Sequence, residues 1–567
     1  MKASQEKPWL KYFSEEAKNA HLKDQTIYQY LIESSKNKLD DIAINYFDNK
    51  ISYKKLISLI DDCAASLFDL GIKKGDMVAC CSATTPEIAI LLYALNKIGA
   101  ALYTINPRRS VEEIKQFVHD SKAKLLFVID LAYNHVVEIF PDINVEKIVI
   151  TESDKYMSLL PKVVKKFTIR TRKTYSDRVI SWNKFINIGK GKPTYTVPSN
   201  EFELAAITLT GGTTGSPKGV MLSNKGFNSV AFDFLHSGVD IVSDKVFMDI
   251  IPVFSSYGIV ASIHMPLILG FEILMIPKLN ANKIGNYFKK YRPGHTLLVP
   301  TYYEQLINSP DLPENYDLSY LVTAGSGGDT MNADLEHRLN EFLRKHKCKY
   351  PLSQGYGMSE VSSAGSCCCG NNFKSLSVGY PLLLNTIAIF KPDTDEELDY
   401  NQEGEVCFTG PSNMLGYYNN EKETKNVMKK HSDGNIWIHS GDLGYMDEDG
   451  FLFIKGRIKR MITRFDGHKV FPTQLESSLV KIDNINNCVI VGIKDPNHAQ
   501  GELPLAVITL QDDSKKEETL RKLKEYIENE VEERGRPCDI KVVKTIPYTS
   551  VGKVDYKSLT KQINKKL

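Results

Sequence analysis

One stretch of twelve residues constrains this chain more than any other: Thr208-Leu209-Thr210-Gly211-Gly212-Thr213-Thr214-Gly215-Ser216-Pro217-Lys218-Gly219. A strand-like apolar run, Leu204 to Leu209, enters it, and a helix-like run starting near Ser223 leaves it. Glycines let the backbone approach a polyphosphate closely, hydroxyls donate to its oxygens, and Lys218 adds a mobile positive charge. An ordinary polar turn rarely combines glycine, hydroxyl and lysine at this density. A Walker A loop is excluded, because Pro217 separates Gly215-Ser216 from the lysine and Gly219, not Ser or Thr, follows it.

At 567 residues the chain is too long for a single core, so at least two domains are expected. The 71 Lys and Arg against 69 Asp and Glu leave a net charge of +2, which gives no general attraction to nucleic acid or to an anionic membrane. Cysteines sit in adjacent runs at Cys80-Cys81 and Cys367-Cys368-Cys369, without zinc-ligand spacing or a disulfide framework, as suits reduced thiols. Met1 to Tyr12 is polar, with no signal core. The most apolar stretch, Ile88 to Ile105, is interrupted by Asn96 and Lys97 and falls short of a membrane span. A soluble cytoplasmic enzyme is the expectation.

From Ile42 to about Thr151 strand and helix patterns alternate, with strands at Asp76–Ser82, Lys124–Asp130 and Lys147–Thr151 and an amphipathic helix over Pro86–Gly99. The rhythm returns after residue 200, at Lys245–Ile251, Glu272–Ile276, Thr296–Val299 and Tyr320–Ala324. Such alternation implies parallel βαβ units and an α/β fold with two similar halves. After Phe390 short strands with Gly and Asp turns suggest a small β-barrel or meander, as in Gly404–Phe408 and Gly450–Ile454. Strands near Asn487–Ile493 and Leu505–Leu510 and a charged helix from Glu517 to about Glu533 follow, in a smaller α+β domain. The boundary is placed so that residues 1–456 form the large N-terminal region and 457–567 the C-terminal domain.

Between the halves, Asp154 to Pro193 carries eleven Lys or Arg against two Asp or Glu. Met157, Leu159, Leu160, Val163, Val164 and Phe167 can share a helical face there. A solvated connector is the preferred reading of this segment. An interfacial helix in weak peripheral contact with a membrane, through residues 155–175, is the alternative.

Three further motifs carry chemistry. In Gln354-Gly355-Tyr356-Gly357-Met358-Ser359-Glu360, glycines on both sides of Tyr356 let a base stack flat on its ring. Ser359 can donate to a phosphate oxygen, and Glu360 offers Mg²⁺ a hard oxygen ligand. In His439-Ser440-Gly441-Asp442-Leu443-Gly444-Tyr445, Asp442 can accept two hydrogen bonds from ribose hydroxyls. In Pro547-Tyr548-Thr549-Ser550-Val551-Gly552-Lys553, a lysine on a turn can bridge a carboxylate and a phosphate and offset charge in a pentacoordinate transition state.

Together these stretches resemble the adenylate-forming superfamily of acyl- and aryl-CoA synthetases, carrier-protein adenylation domains and luciferases, over approximately Ile42 to Leu559, most closely its bacterial AMP-dependent acyl-CoA synthetases. The resemblance implies a large N-terminal region and a mobile C-terminal domain hinged near Lys459. It implies that ATP is gripped by Thr210, Gly211, Gly212, Thr213, Thr214, Gly215, Lys218, Ser326, Gly355, Tyr356, Gly357, Ser359, Asp442, Arg457 and Lys553. Ser326 lies in Ala324-Gly325-Ser326-Gly327-Gly328-Asp329, similar to the stretch that walls the adenine and acyl group. Thr210 and Glu360 would contact Mg²⁺, and Lys553, Glu360, Thr210 and Lys218 would be catalytic. Gly467, in Arg464-Phe465-Asp466-Gly467-His468-Lys469, would line a pantetheine tunnel.

The implied activity converts a carboxylic acid, fatty or aryl, into an acyl-adenylate and passes it to a thiol, with ATP, Mg²⁺ and coenzyme A as cofactors. Coenzyme A is the first choice of thiol, and the phosphopantetheine of an acyl carrier protein the alternative. A catalytically silent binding protein of the same fold is the third reading, weakened by the intact motifs. No nucleic-acid partner is expected. The chain departs from the family at Ser255, in Pro252-Val253-Phe254-Ser255-Ser256-Tyr257-Gly258, where a histidine or aromatic is common. That segment has no Asp or Glu, so an unpaired α-ammonium there would cost several kcal/mol and an α-amino acid is disfavoured. Gly325, Ser363, Ala364 and Cys367 are expected to line the acid pocket, closed on one side by Tyr302 and Tyr303.

Overall fold

The computed structural model describes residues 2–159, 161–162, 173–193, 195–210, 217–241, 245–498, 500–547 and 554–564. Among these residues two large sheets dominate. One runs in the order Tyr380–Pro381, Ser366–Cys367, Ser353–Tyr356, Thr323–Ser326, His295–Leu298, Val246–Asp249, Glu272–Met275, Ile42–Tyr46, Asn49–Ser52. Its central strands are parallel and both edges antiparallel. The other runs Gly416–Tyr417, Gly219–Ser223, Leu204–Leu209, Ala101–Ile105, Met77–Cys81, Leu125–Ile129, Lys147–Thr151, Val179–Ser181.

The two halves are therefore interleaved rather than consecutive. Ile42–Tyr46 leaves the first block of sequence to pair in parallel with Glu272–Met275, and Gly416–Tyr417 returns to pair with Gly219–Ser223. A single buried cluster ties them together, holding Ile44 and Phe247 of one sheet with Val78 and Leu102 of the other. The helix Pro86–Lys97 lies in that cluster and is buried at all twelve positions, not at one face as an amphipathic pattern predicts. Two of its polar residues are paired: Lys97 Nζ meets Asp61 Oδ1 at 2.6 Å, and Asn96 Oδ1 accepts the Tyr28 amide at 3.0 Å. Glu87 Oε1 has no partner, and burial pushes that carboxyl up to about 7, toward its uncharged form.

A five-stranded antiparallel sheet follows, in the order Thr386–Phe390, Gly404–Thr409, Ile436–Met446, Met428–Lys430, with Leu452–Arg457 also on Ile436–Met446. Beyond it lies a three-stranded sheet, Ile485–Lys494, Glu502–Leu510 and Asp539–Val542. Helices Pro472–Leu479 and Lys516–Glu530 accompany it, and Ile462, Leu479, Ile490, Ile508, Leu523 and Ile527 form a separate core there. The fold is thus α/β, with a large N-terminal region and a smaller C-terminal unit. Among the described residues no helix is long and apolar enough to cross a membrane. Of the apolar positions in the basic connector, Met157 packs on the main core and Leu159 is exposed. Leu160, Val163, Val164 and Phe167 lie outside the described residues.

Candidate active site

Gly219–Ser223 forms a strand that the sequence reading did not identify, and the helix expected from near Ser223 begins at Asn224. The strand pairs antiparallel with Leu204–Leu209, Thr208 opposite Val220 and Leu209 opposite Gly219. The two strands thus form a hairpin, and the helix Asn224–Leu235 follows, capped by the Ser223 hydroxyl at the Gly226 amide. The hairpin's neck is pinned twice: the Thr210 amide donates to the Lys218 carbonyl at 2.9 Å, and the Lys218 amide to Thr210 Oγ1 at 3.1 Å. Gly211, Gly212, Thr213, Thr214 and Gly215 lie outside the described residues, as does Lys553.

Lys218 Nζ sits 2.5 Å from Glu423 Oε2 and 4.7 Å from the centre of the Tyr417 ring. That ammonium holds the Glu423 carboxyl below its ordinary value. The Tyr417 hydroxyl donates in turn to Glu360 Oε1 at 2.6 Å. Lys218 and Glu360, distant in sequence, are joined in this way through Tyr417, and Glu423 holds the Lys218 ammonium from the side. Neither Tyr417 nor Glu423 stood out in the sequence, and the only signal for Tyr417 was its place in a Gly-Tyr-Tyr turn.

Tyr356 ends the strand Ser353–Tyr356, its ring tilted against Phe408 at 5.6 Å between centroids. Gly357 is required by space: a Cβ there would lie 2.0 Å from the Ser363 carbonyl oxygen. A Cβ at Gly355 would lie 3.1 Å from the Ser366 carbonyl oxygen. Ser359 Oγ accepts from the Ser256 hydroxyl at 3.0 Å. Ser326, at the end of the neighbouring strand Thr323–Ser326, is buried with no partner for its hydroxyl.

The Tyr356 hydroxyl donates to Asp442 Oδ2 at 2.5 Å, and Arg457 Nε meets Asp442 Oδ1 at 2.8 Å. Burial, then the Asp442 charge, push the Tyr356 hydroxyl well above its ordinary range, so it stays a donor. A bulge aims Asp442. Between Cys407 opposite His439 and Glu405 opposite Leu443, the strand Ile436–Met446 inserts extra residues, and Gly441 turns there with φ +70°. Arg457 is the cross-strand neighbour of Asp442 and also donates to the Ser440 carbonyl at 2.9 Å. Glu405, which the sequence reading missed, holds the bulge: its Oε1 accepts the Gly441 amide at 3.0 Å, and its Oε2 lies 2.8 Å from His439 Nδ1.

One cavity of about 1760 Å³ is lined by Thr210, Lys218, Ser326, Gly355, Tyr356, Gly357, Ser359, Glu360 and Arg457. Asp442 stands behind this wall, held by Tyr356 and Arg457. Gly467 is not brought to the cavity; it turns a short hairpin with φ +80°, the Arg464 amide donating to the His468 carbonyl. The expected lining residues Gly325, Ser363, Ala364, Cys367 and Tyr302 face the cavity, whereas Tyr303 does not. Tyr303 is fully buried and donates to the Gly325 carbonyl at 2.9 Å, supporting the wall from behind. Ser255 lines the cavity, its hydroxyl donating to the Pro252 carbonyl at 2.8 Å and accepting the Gly258 amide at 3.1 Å.

The residues present fit a magnesium nucleotide. Thr210 and Glu360 offer hard oxygens at the same wall as the Lys218 ammonium, and the unpartnered Ser326 hydroxyl awaits a ligand atom.

The chain aligns over 559 residues, at 27% identity and 97% of both chains, with a long-chain-fatty-acid–CoA ligase of Bacillus subtilis. With the 4-coumarate–CoA ligase CCL1 of Humulus lupulus it shares 30% identity over 519 residues, 90% of this chain and 87% of that one. Among solved structures it superimposes on the anthranilate CoA ligase AuaEII in complex with anthranoyl-AMP with a TM-score of 0.81, at 18% identity, covering 97% and 100% of the chains. ATP-bound MatB from Rhodopseudomonas palustris gives 0.78 at 21% identity, covering 95% and 99%. The AMP-binding enzyme family model matches residues 31–418 and the model of that family's C-terminal domain matches 474–553, so the chain belongs to the AMP-binding enzyme family.

Proposed function

We propose that the cavity holds ATP and an apolar carboxylic acid side by side and that the chain is an AMP-forming acid–thiol ligase. The acid is activated to an acyl-adenylate with release of pyrophosphate, then transferred to coenzyme A with release of AMP. Positioning and charge neutralisation carry such chemistry, so no protein nucleophile is required. On this reading Tyr356 offers its face to the adenine beside Ser326, Asp442 and Arg457 take the ribose, and Lys218 and Ser359 take phosphate oxygens. Thr210 and Glu360 would hold Mg²⁺, which supplies charge neutralisation at the leaving pyrophosphate. Gly211 to Gly215 would wrap the phosphates, and Lys553 would join the carboxylate to the α-phosphate.

The observation that carries this reading is the continuity of the cavity. Its polar groups, Ser326 and Tyr356, stand at the C-terminal ends of their strands, while Phe247 and His295 line it from near the starts of theirs. Phe234, Val239, Met265, Leu269 and Phe271 extend the apolar part. A fatty or aryl acid fits that wall. No carboxylate lies between Pro252 and Gly258 to pair an α-ammonium.

The C-terminal domain, from residue 457, would rotate about Lys459 to withdraw Lys553 and bring Gly467 to the thiol path. A cytoplasmic location and a solvated connector over residues 154–193 belong to the same reading. A carrier-protein acceptor and a lipid contact through that connector are its subordinate variants. Acid-dependent ATP–pyrophosphate exchange across fatty, aryl and amino acids tests the first half-reaction, and thioester formation with coenzyme A tests the second. Lys553→Ala should abolish exchange yet spare thioester formation from supplied acyl-adenylate. Equal loss of both halves would refute the two-position account, and exchange with no acid would refute the ligase reading.

A further inference from the structure

The far part of the cavity is not wholly apolar. His295 lines it from the first position of the strand His295–Leu298, only 4% exposed, with its ring stacked on Phe271 at 4.3 Å. Nδ1 lies 3.0 Å from Thr323 Oγ1, on the adjacent parallel strand where His295 faces Thr323. Nε2 is buried and has no partner. Burial, and secondarily the Lys245 ammonium, hold the imidazole down to about 4, so it is neutral at physiological pH. A neutral, buried imidazole nitrogen without a partner is costly in an otherwise apolar wall, and a ligand that supplies the missing hydrogen bond recovers that cost.

We propose that His295 is a specificity-determining residue that reads a hydroxyl group on the distal part of the acid. The inference deepens the ligase reading and rests on it for the identity of the ligand as a carboxylic acid. A hydroxyl suits both tautomers. If Nδ1–H donates to Thr323, Nε2 accepts from the substrate hydroxyl; if the Thr323 hydroxyl donates to Nδ1, Nε2–H donates to it. A neutral imidazole offers one uncharged hydrogen-bonding atom in a buried wall, and a hydroxyl meets it without the cost of burying an ion, so the preferred group is uncharged. Its depth follows from the register. Ser326 pairs with Leu298 at the nucleotide end and Thr323 with His295 at the other, three residues apart. That separation is about 10 Å along the strands, the reach of a hydroxycinnamate or of a medium-chain acid with a terminal hydroxyl.

The test compares matched pairs of acids that differ only by that hydroxyl: ω-hydroxyoctanoate against octanoate, and 4-coumarate against cinnamate. Binding of each to the full-length chain is measured by calorimetry, and exchange is measured separately as kcat/KM. The hydroxylated member of at least one pair should bind about ten-fold more tightly. His295→Phe, which retains the stack on Phe271, should bring that ratio to about one, and His295→Gln should keep part of it. A wild-type ratio near one for both pairs, or a ratio that survives in His295→Phe, overturns the proposal without needing either variant to be active. Absence of exchange with every acid, alongside a hydroxyl-dependent binding ratio, would overturn the ligase reading and leave the role of His295 standing.

Discussion

Across 86 residues of chain the Tyr356 hydroxyl donates to Asp442 Oδ2, while Arg457 Nε meets the other carboxylate oxygen. The carboxylate is thereby oriented before any ligand arrives. If it takes ribose hydroxyls, Asp442→Ala should raise the KM for ATP by about 10–100-fold, the range for hydrogen bonds to a charged group. Tyr356→Phe should have a smaller effect, because it removes only the orienting contact. Unchanged ATP affinity in Asp442→Ala would remove Asp442 from the binding site.

If Lys218 takes a phosphate oxygen, it must first leave Glu423. The pair is partly exposed, with side chains 31% and 34% accessible, so it is worth no more than about 1 kcal/mol. Glu423→Gln should therefore lower the KM for ATP by about two- to five-fold at low ionic strength, an advantage that salt screens away. A raised KM would mean instead that Glu423 helps to hold the metal.

Gly357→Ala should destabilise the fold as well as the site. The added Cβ would meet the Ser363 carbonyl oxygen at 2.0 Å and Ala364 Cα at 2.7 Å, and backbone atoms cannot step aside as a flexible side chain does. A loss of about 1–3 kcal/mol is expected, read as a lower midpoint in a thermal melt. A midpoint equal to wild type would show that the 357–364 turn opens freely.

Asp233 is fully buried on the helix Asn224–Leu235, where it accepts the Leu384 amide at 2.9 Å. Burial pushes its carboxyl up from 3.8 to about 8, against the lowering effect of that amide. The native chain thus keeps a proton that the unfolded chain releases above pH 3.8. Stability from this group is complete below that pH and is lost as pH rises to about 8, by at most about 1.4 kcal/mol per pH unit. Asp233→Asn does not titrate, so its melting midpoint should gain on wild type from pH 4 to 8 and keep a constant lead above that window. Parallel curves throughout would show that Asp233 is ionised in the native state.

The strands entering and leaving the motifs were legible because alternation and β-branched runs are local signals. So were the motif residues themselves: Tyr356 between two glycines, Asp442 after a glycine that the bulge needs, and a hydroxyl-rich loop after an apolar strand. The strand Gly219–Ser223 was missed because five residues between a glycine-rich loop and a helix are too short a run for alternation to stand out, whereas the helix was legible from near Ser223. The burial of Pro86–Lys97 on every side was hidden because Asn96 and Lys97 imitate a solvent face until Tyr28 and Asp61 are seen to satisfy them.

What the sequence determined by itself was the identity of the groups that can do chemistry and the local backbone that presents them, since both depend on neighbours a few positions away. Only the tertiary structure decided that Ile42–Tyr46 crosses to the later sheet, that Tyr417 joins Lys218 to Glu360, and that His295 lines the cavity. Those arrangements depend on which strand pairs with which, and a period of two residues tells a strand which face to bury but not which partner to choose.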